Sequence, residues 1–368
     1  MVSSVAMVGG RRPAWFAQLT TFGRADRRKA IGQILTTLLP YAGLWAAMIV
    51  TMQRGLPYAV TLGLAVVAAG FLVRVFIIFH DCCHGSFFAV REANRILGTI
   101  TGILTFTPYE EWRLSHARHH VTAGDLDNRG TGDVRTMTVE EYRAAPRLER
   151  LAYRLFRHPL VMFGLGPFFV FVVSQRFTPK GASRAARVGT WLTNAALLCI
   201  GAVAALTIGL RTYLLIQLPV LLIAATAGVW LFYVQHQFDG VYWARHEAWD
   251  PIRAALEGSS YYRLPKVLQW FSGNIGLHHI HHLRATIPNY HLQAAYDAIP
   301  AVQAVHPLTL RGSLKCLTLR LWDEQAQRLV SFRELRERRA ANDGALQTAP
   351  AQPGGQDNGF RGSEPGSV

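Results

Sequence analysis

The 368-residue chain predicts an all-α integral membrane protein with four transmembrane helices in two hairpins, accompanied by interfacial helices and a cytoplasmic helical cap. Three observations predict it. Half the residues are hydrophobic, and 17% are charged, against about 25% in ordinary soluble domains. Four segments reach the roughly 20 mainly apolar residues needed to cross a bilayer. The basic residues are confined to one side of the alternation these segments create.

Residues 1–30 are expected to form a cytoplasmic N-terminal segment. Met1 to Gly10 lacks the charged stretch, apolar run and small-residue site of a cleaved signal peptide. A single membrane domain then spans 31–340. Its crossings are Ile31–Met52, with Pro40 as a potential kink, Leu56–Phe79, Val188–Leu210 and Tyr213–Gln235. The hairpin turns are short, at Gln53-Arg54-Gly55 and Arg211-Thr212. Two further apolar runs do not fit as crossings. Ile96–Phe106 is too short, and Pro159–Ser174 is interrupted by Gly164, Gly166 and Pro167. Both read as interfacial or re-entrant. Residues 341–368, rich in Gly, Pro, Gln, Ser and Asp, read as a disordered tail.

Charge supplies an independent check. Six Arg or Lys lie before Ile31, fifteen between His80 and Arg187, and fourteen after His236, while the hairpin turns hold one each. Both termini and the whole of 80–187 are therefore expected in the cytoplasm. Arg74, near the end of the second crossing, is expected to snorkel toward that side. The net charge of +15 comes without a compact basic block interleaved with aromatics, so no nucleic-acid partner is expected. Cys82, Cys83, Cys199 and Cys316 form no spaced pairs, so no structural disulfide is expected.

Histidines carry the chemistry. Eight of the fourteen fall into three helical patterns: His80 with His84, His116 with His119 and His120, and His278 with His281 and His282. Residues at i, i+3 and i+4 share a helix face. His279 lies off that face and is not expected to be a ligand. His236, at the end of the fourth crossing, is a ninth candidate. Nine imidazoles suit two metal ions of more than four coordinate positions better than one tetrahedral zinc. The cap is therefore expected to carry a metal site. Carboxylate-rich di-iron bundles use Glu and Glu-x2-His ligands, and none occur in these clusters. Nitrogen-ligated iron reactive toward dioxygen is the better fit, although ligand type leaves copper or zinc open.

The three boxes, in this order and separated by two apolar hairpins, resemble the membrane fatty acid desaturases. So do Thr107-Pro-Tyr-Glu-Glu-Trp112, Gly124-Asp-Leu-Asp-Asn-Arg-Gly-Thr-Gly-Asp133, Thr138-Val-Glu-Glu-Tyr142 and Tyr233-Val-Gln-His236. The resemblance covers roughly residues 35–296 and is to bacterial acyl-lipid and plant oleate-type enzymes. It implies a membrane oxidoreductase with a di-iron centre held by His80, His84, His116, His119, His120, His236, His278, His281 and His282. With O2 as co-substrate, the centre would place a cis double bond in a fatty acyl chain of a membrane lipid. Phe232 stands where animal acyl-CoA desaturases have an asparagine, so that contact does not carry over. Asn274 and Asp81 are candidates for outer contacts to the ligands, as are Asp125, Asp127 and Asp133; cap and loop roles compete. Trp112, one turn before His116, is expected at the membrane interface or in the wall of an acyl tunnel. Two electrons per turnover must come from outside. The chain has no Rossmann glycine motif, iron–sulfur cysteine set or haem motif, so an external donor such as ferredoxin is implied. Arg143, Arg147, Arg150, Arg154 and Arg157 are a candidate docking patch. A hydroxylase or ketolase of the same histidine-box superfamily, acting on lipid, alkane or carotenoid, is the alternative. A non-enzymatic metal transporter or sensor is a remoter one, disfavoured because the ligands sit at helix ends rather than mid-membrane. Regiochemistry, acyl carrier, the identity of the donor, tunnel lining and oligomeric state are not legible at this level.

Overall fold

The computed structural model describes residues 12–130 and 134–348. The N-terminal stretch through Arg11, Asp133, and the tail from 349 onward lie outside the described residues. Four helices are long and apolar enough to cross a membrane: Arg27–Gln53, Tyr58–Cys83, Arg184–Thr207 and Leu210–His236. The first starts where the Asp26 carboxylate accepts from the Arg28 and Lys29 amides at 2.8 and 3.1 Å, a favourable N-cap. It runs unbroken through Pro40. Ser183 caps the third in the same way, accepting from the Ala186 amide at 3.1 Å. The second turn lies at Ile208–Gly209, not at Arg211-Thr212. Gly209 adopts φ 84°, a conformation glycine takes at little cost, so Arg211 falls inside the last long helix.

Small side chains set how closely these helices approach. Ala65, Ala68, Ala69 and Leu72 of Tyr58–Cys83 pack with Ile216, Val220, Leu221 and Ala224 of Leu210–His236, and Tyr41 and Met48 of the first helix join the same core. The outer faces are apolar and open: Leu206 is 88% exposed and Leu198 75%. Such a surface suits lipid rather than water.

The two apolar runs expected not to cross both lie in bent stretches, and the second, taken with the helix before it, is long and apolar enough to be either a broken span or a re-entrant loop. Helix Arg91–Leu104 is followed by a tight turn with Phe106 at φ 59° and then by Tyr109–Thr122. Gly102 lets this turn close: a Cβ there would stand 2.5 Å from the Thr107 carbonyl oxygen. The second run belongs to a bent pair, Arg147–Phe156 and Leu160–Arg176, which meet at 59°. Its turns at Leu160–Leu165 and Phe169–Val173 are π-helical. Arg176 ties both bent stretches to the third long helix. It donates to Asn194 Oδ1 at 2.7 Å and to the Phe106 carbonyl, and its own carbonyl accepts from Asn194 Nδ2 at 2.9 Å. Arg176→Leu should therefore destabilise the fold. Each acceptor left unpaired costs about 1–3 kcal/mol, readable as a lower apparent melting temperature in detergent. An unchanged melting temperature would count against this role.

Three sequence expectations change. Arg74 does not snorkel: it is buried, donates to Thr37 Oγ1 at 3.2 Å and to the Trp270 carbonyl, and lies 4.0 Å from the Trp270 ring centroid. An internal carbonyl and an aromatic face replace water there. The protein is mainly helical but has short strands that periodicity could not reveal. Met137–Thr138 pairs parallel with Leu321–Asp323, which pairs antiparallel with Arg328–Val330, and Tyr261–Arg263 pairs parallel with Pro307–Thr309. The last helix, Phe332–Thr348, continues past Ala341, because the Gly- and Pro-rich composition begins only at Pro350.

Candidate metal centre

The second and fourth long helices continue beyond their apolar stretches to deliver His80 and His236 at the same end. His84 follows as the C-cap of the second helix, at φ −79° and ψ −7°. Helix Tyr109–Thr122 supplies His116, His119 and His120, and the short helix His278–Leu283 supplies His278, His281 and His282. All nine converge. They divide into a five-histidine group (His80, His84, His116, His120, His281) and a four-histidine group (His119, His236, His278, His282). Within each group the candidate ligand nitrogens lie within 4.8 Å of one another. Adjacent residues serve different groups, His119 beside His120 and His281 beside His282. The groups are therefore neighbours, and the rings of His120 and His282 stack at 4.2 Å.

Ring orientation is imposed from outside. His80 Nδ1 lies 3.0 Å from Asp81 Oδ1, so Nδ1 carries the proton and Nε2 faces inward. The other Asp81 oxygen accepts from the Asn289 amide at 2.6 Å and from Asn289 Nδ2 at 2.8 Å. His236 Nδ1 lies 3.2 Å from the Gly258 carbonyl oxygen. Inward Nε2 atoms then crowd together. His236 is 3.1 Å from His119 and 3.0 Å from His278, and His120 is 3.1 Å from His116 and 3.0 Å from His281. Two nitrogens bound at right angles to one ion, each at ~2.1 Å, stand about 3.0 Å apart. The buried Nε2 atoms of His84 and His282 have no hydrogen-bond partner. Burial, and then the neighbouring imidazoles, hold His84, His116, His120, His278, His281 and His282 well below the usual imidazole range. They are neutral at pH 7, the state a metal requires. The donor set thus fits two adjacent metal ions.

A sequence model of the fatty acid desaturase family matches residues 55–313. The chain is 48% identical over 319 residues to a fatty acid desaturase of Bacillus subtilis (strain 168), covering 87% of this chain and 90% of that protein. This chain belongs to the fatty acid desaturase family. It is 26% identical to the sn-1 oleoyl-lipid 12-desaturase of Synechocystis sp. (strain ATCC 27184 / PCC 6803 / Kazusa), over 62% of this chain and 65% of the relative. It is 27% identical to the sn-1 acyl-lipid omega-3 desaturase (ferredoxin) of Nostoc sp. (strain 36), over 62% and 64%. The protein is accordingly an oxidoreductase.

In this desaturase an apolar cavity of about 840 Å3 ends on His80, His116 and His278. Phe76, Ile77, Phe232 and Ile275 are among its lining residues. Sequence reasoning could not find this lining, because its residues come from separate stretches of chain (72–80, 112–116, 156–171, 221–235 and 275–278 among them) with no shared periodicity. Trp112 is the exception. It lines the cavity and stacks on His116 at 4.2 Å, the wall role that competed with an interfacial one.

Asn274 and Arg157 are engaged away from their expected places, whereas His279 stands apart from the site as expected. Asn274 adopts φ 59° in the turn after Lys266–Phe271, and its side chain donates to the Asn289 carbonyl at 3.3 Å. The turn claims it, not a histidine. His279 lies outside both groups and bonds the Val302 carbonyl through Nε2 at 3.1 Å. Arg157 is fully buried, donating to Gln237 Oε1 and to the Leu319 carbonyl, each at 2.9 Å. It is lost to any docking patch.

Asp125 and Asp127 organise the loop after box two. Asp125 accepts from the Asp127 and Asn128 amides and pairs with His246 Nδ1 at 2.7 Å, while Asp127 pairs with Arg245 at 2.6 Å. The hydrogen bond to Asp125 raises the His246 pKa above its ordinary value. The pair's contribution is therefore full below the unfolded pKa of about 6.5 and is lost as pH rises through the higher folded value. Amide protection factors at Asp127 and Asn128, corrected for the intrinsic base-catalysed rate, should fall across that window, and His246→Gln should remove that fall. Protection in the wild type that does not change with pH would contradict this.

Proposed function

We propose that this desaturase holds two iron ions on its nine histidines and uses O2 to introduce a cis double bond into an acyl chain of a membrane lipid. The observation that carries this reading is the apolar cavity ending on imidazoles from three of the converging segments. His80, His84, His116, His120 and His281 would hold one ion, and His119, His236, His278 and His282 the other. The bound metal would supply the oxidising power to remove hydrogen from a methylene, which no side-chain acid or base can do. The remaining task is positional. Neighbouring methylenes are chemically alike, so the walls must choose among them. Phe76, Trp112, Phe232 and Ile275 bound the chain beside the histidines and exclude water from it. Asp81 and the Gly258 carbonyl keep His80 and His236 with Nε2 inward.

The two-hairpin topology, with both termini and the histidine-bearing cap in the cytoplasm, is supported by the basic-residue asymmetry. On this reading residues 31–340 form one membrane domain, and neither bent stretch crosses. Electrons would come from an external acidic donor of the ferredoxin kind, the donor named for the Nostoc relative. Exposed Arg143, Arg147 and Arg154 would attract it.

Expression in a host of simple lipid composition, with mass spectrometry of acyl methyl esters, tests the reaction. A new double bond together with two irons per purified chain is expected. A hydroxy acid would favour the hydroxylase, and unchanged lipids or a single bound zinc would refute the proposal.

A further inference from the structure

Exposure is uneven around the cavity. At its inner end Ile77, His80, Gln235, Ile275 and His278 are buried. Along one side Phe156, Leu165, Phe169 and Val170 line the same space yet are open to the outside, Leu165 at 67% and Phe169 at 59%. All four belong to the bent pair. Gly228 and Val229 of Leu210–His236 also line the cavity. A Cβ at Gly228 would meet nothing within 4 Å. The bent segment is fastened to the long helix near this point by Phe163, whose carbonyl accepts from Thr226 Oγ1 at 2.9 Å and whose ring meets Trp230 at 5.2 Å.

We propose that the acyl chain enters this cavity sideways from the bilayer, through a slit between the bent segment and the last long helix that Gly228 keeps open. The inference rests on the proposed function and adds the route. Three observations support it. Phe156, Leu165, Phe169 and Val170 line the cavity and are also exposed on the apolar outside of the helices, and Gly228 stands about 12 Å from His236 along the helix axis. No Lys, Arg, Asp or Glu lines the cavity among the described residues. A chain leaving the bilayer there meets no polar barrier, whereas a phosphate-bearing soluble carrier would find no cation at the mouth. The segment forming the outer lip is π-helical on both sides of Gly166–Phe168, a backbone form concentrated at functional sites.

The test uses the full chain with its iron, supplied with O2 and a reduced ferredoxin, in vesicles of phosphatidylglycerol and phosphatidylethanolamine containing a phospholipid with a diazirine on its acyl chain. Irradiation and peptide mapping should label residues 161–170 and 228–232. Gly228→Leu should lower conversion of vesicle lipid chains at least about tenfold with iron content unchanged, and Gly228→Ala should lower it less. Labelling confined to residues away from the slit, or full conversion by Gly228→Leu, would overturn the route. If that variant does not fold, the labelling of wild type decides. Double-bond formation by wild type alongside either contrary result separates failure of the route from failure of the function; no double bond from wild type overturns both.

Discussion

His281→Ala is expected to abolish desaturation while leaving membrane insertion intact. His281 contributes to the five-histidine group, and its Nε2 lies 3.0 Å from that of His120. On the proposed two-ion reading, removing the imidazole would take away a ligand that no neighbouring side chain could replace, since the other eight histidines would already be engaged. Activity should fall at least about 10^3-fold, or ~4 kcal/mol in the barrier, and iron per chain should drop below two. His279→Ala is the matched control on the same short helix. His279 is equally buried, but its bond is to the Val302 carbonyl. That variant should lose about 1–3 kcal/mol of stability and keep its iron. Full turnover by His281→Ala, or equal loss of iron in both variants, would refute the ligand assignment.

Asp81→Asn is expected to have the next largest effect. One carboxylate serves three donors: His80 Nδ1, the Asn289 amide and Asn289 Nδ2. An asparagine has a single acceptor oxygen and would turn its NH2 against either His80 or Asn289. The His80 tautomer and the junction with helix Asn289–Ala298 cannot both survive. Loss of such a partner typically lowers metal affinity or activity about 10–100-fold. Iron retention against a chelator, compared with Asn289→Ala, is the measurement. Asn289→Ala removes one donor and leaves His80 oriented, so its loss should be smaller. Iron retention by Asp81→Asn equal to wild type would show that Asp81 is a packing residue.

Much of this was legible along the chain because the signals are local. Long apolar runs need no partner to be recognised, and His116, His119 and His120 share a face by helical spacing alone. Asp81 was a candidate through adjacency to His80, and the contact exists. Asn274 was a candidate on the same kind of spacing, and a turn with positive φ directs its side chain elsewhere. Arg157 looked like surface charge because sequence cannot register the carbonyls of Leu319 and Arg135 folding around it. The wall formed by Trp112 was one of two open roles until the stack on His116 decided it.

The amino-acid order alone determined the helical membrane class, the four long apolar segments and the shared helix faces of eight histidines, because periodicity and hydropathy act within a few turns of chain. Only the tertiary structure decided that the nine imidazoles converge, that His119 and His120 part into different groups, that distant stretches of chain enclose one cavity, and that Arg74 and Arg157 are held inside. Those outcomes depend on contacts between residues far apart in the chain, whose geometry is set by side-chain packing and by the need to pair every buried polar group.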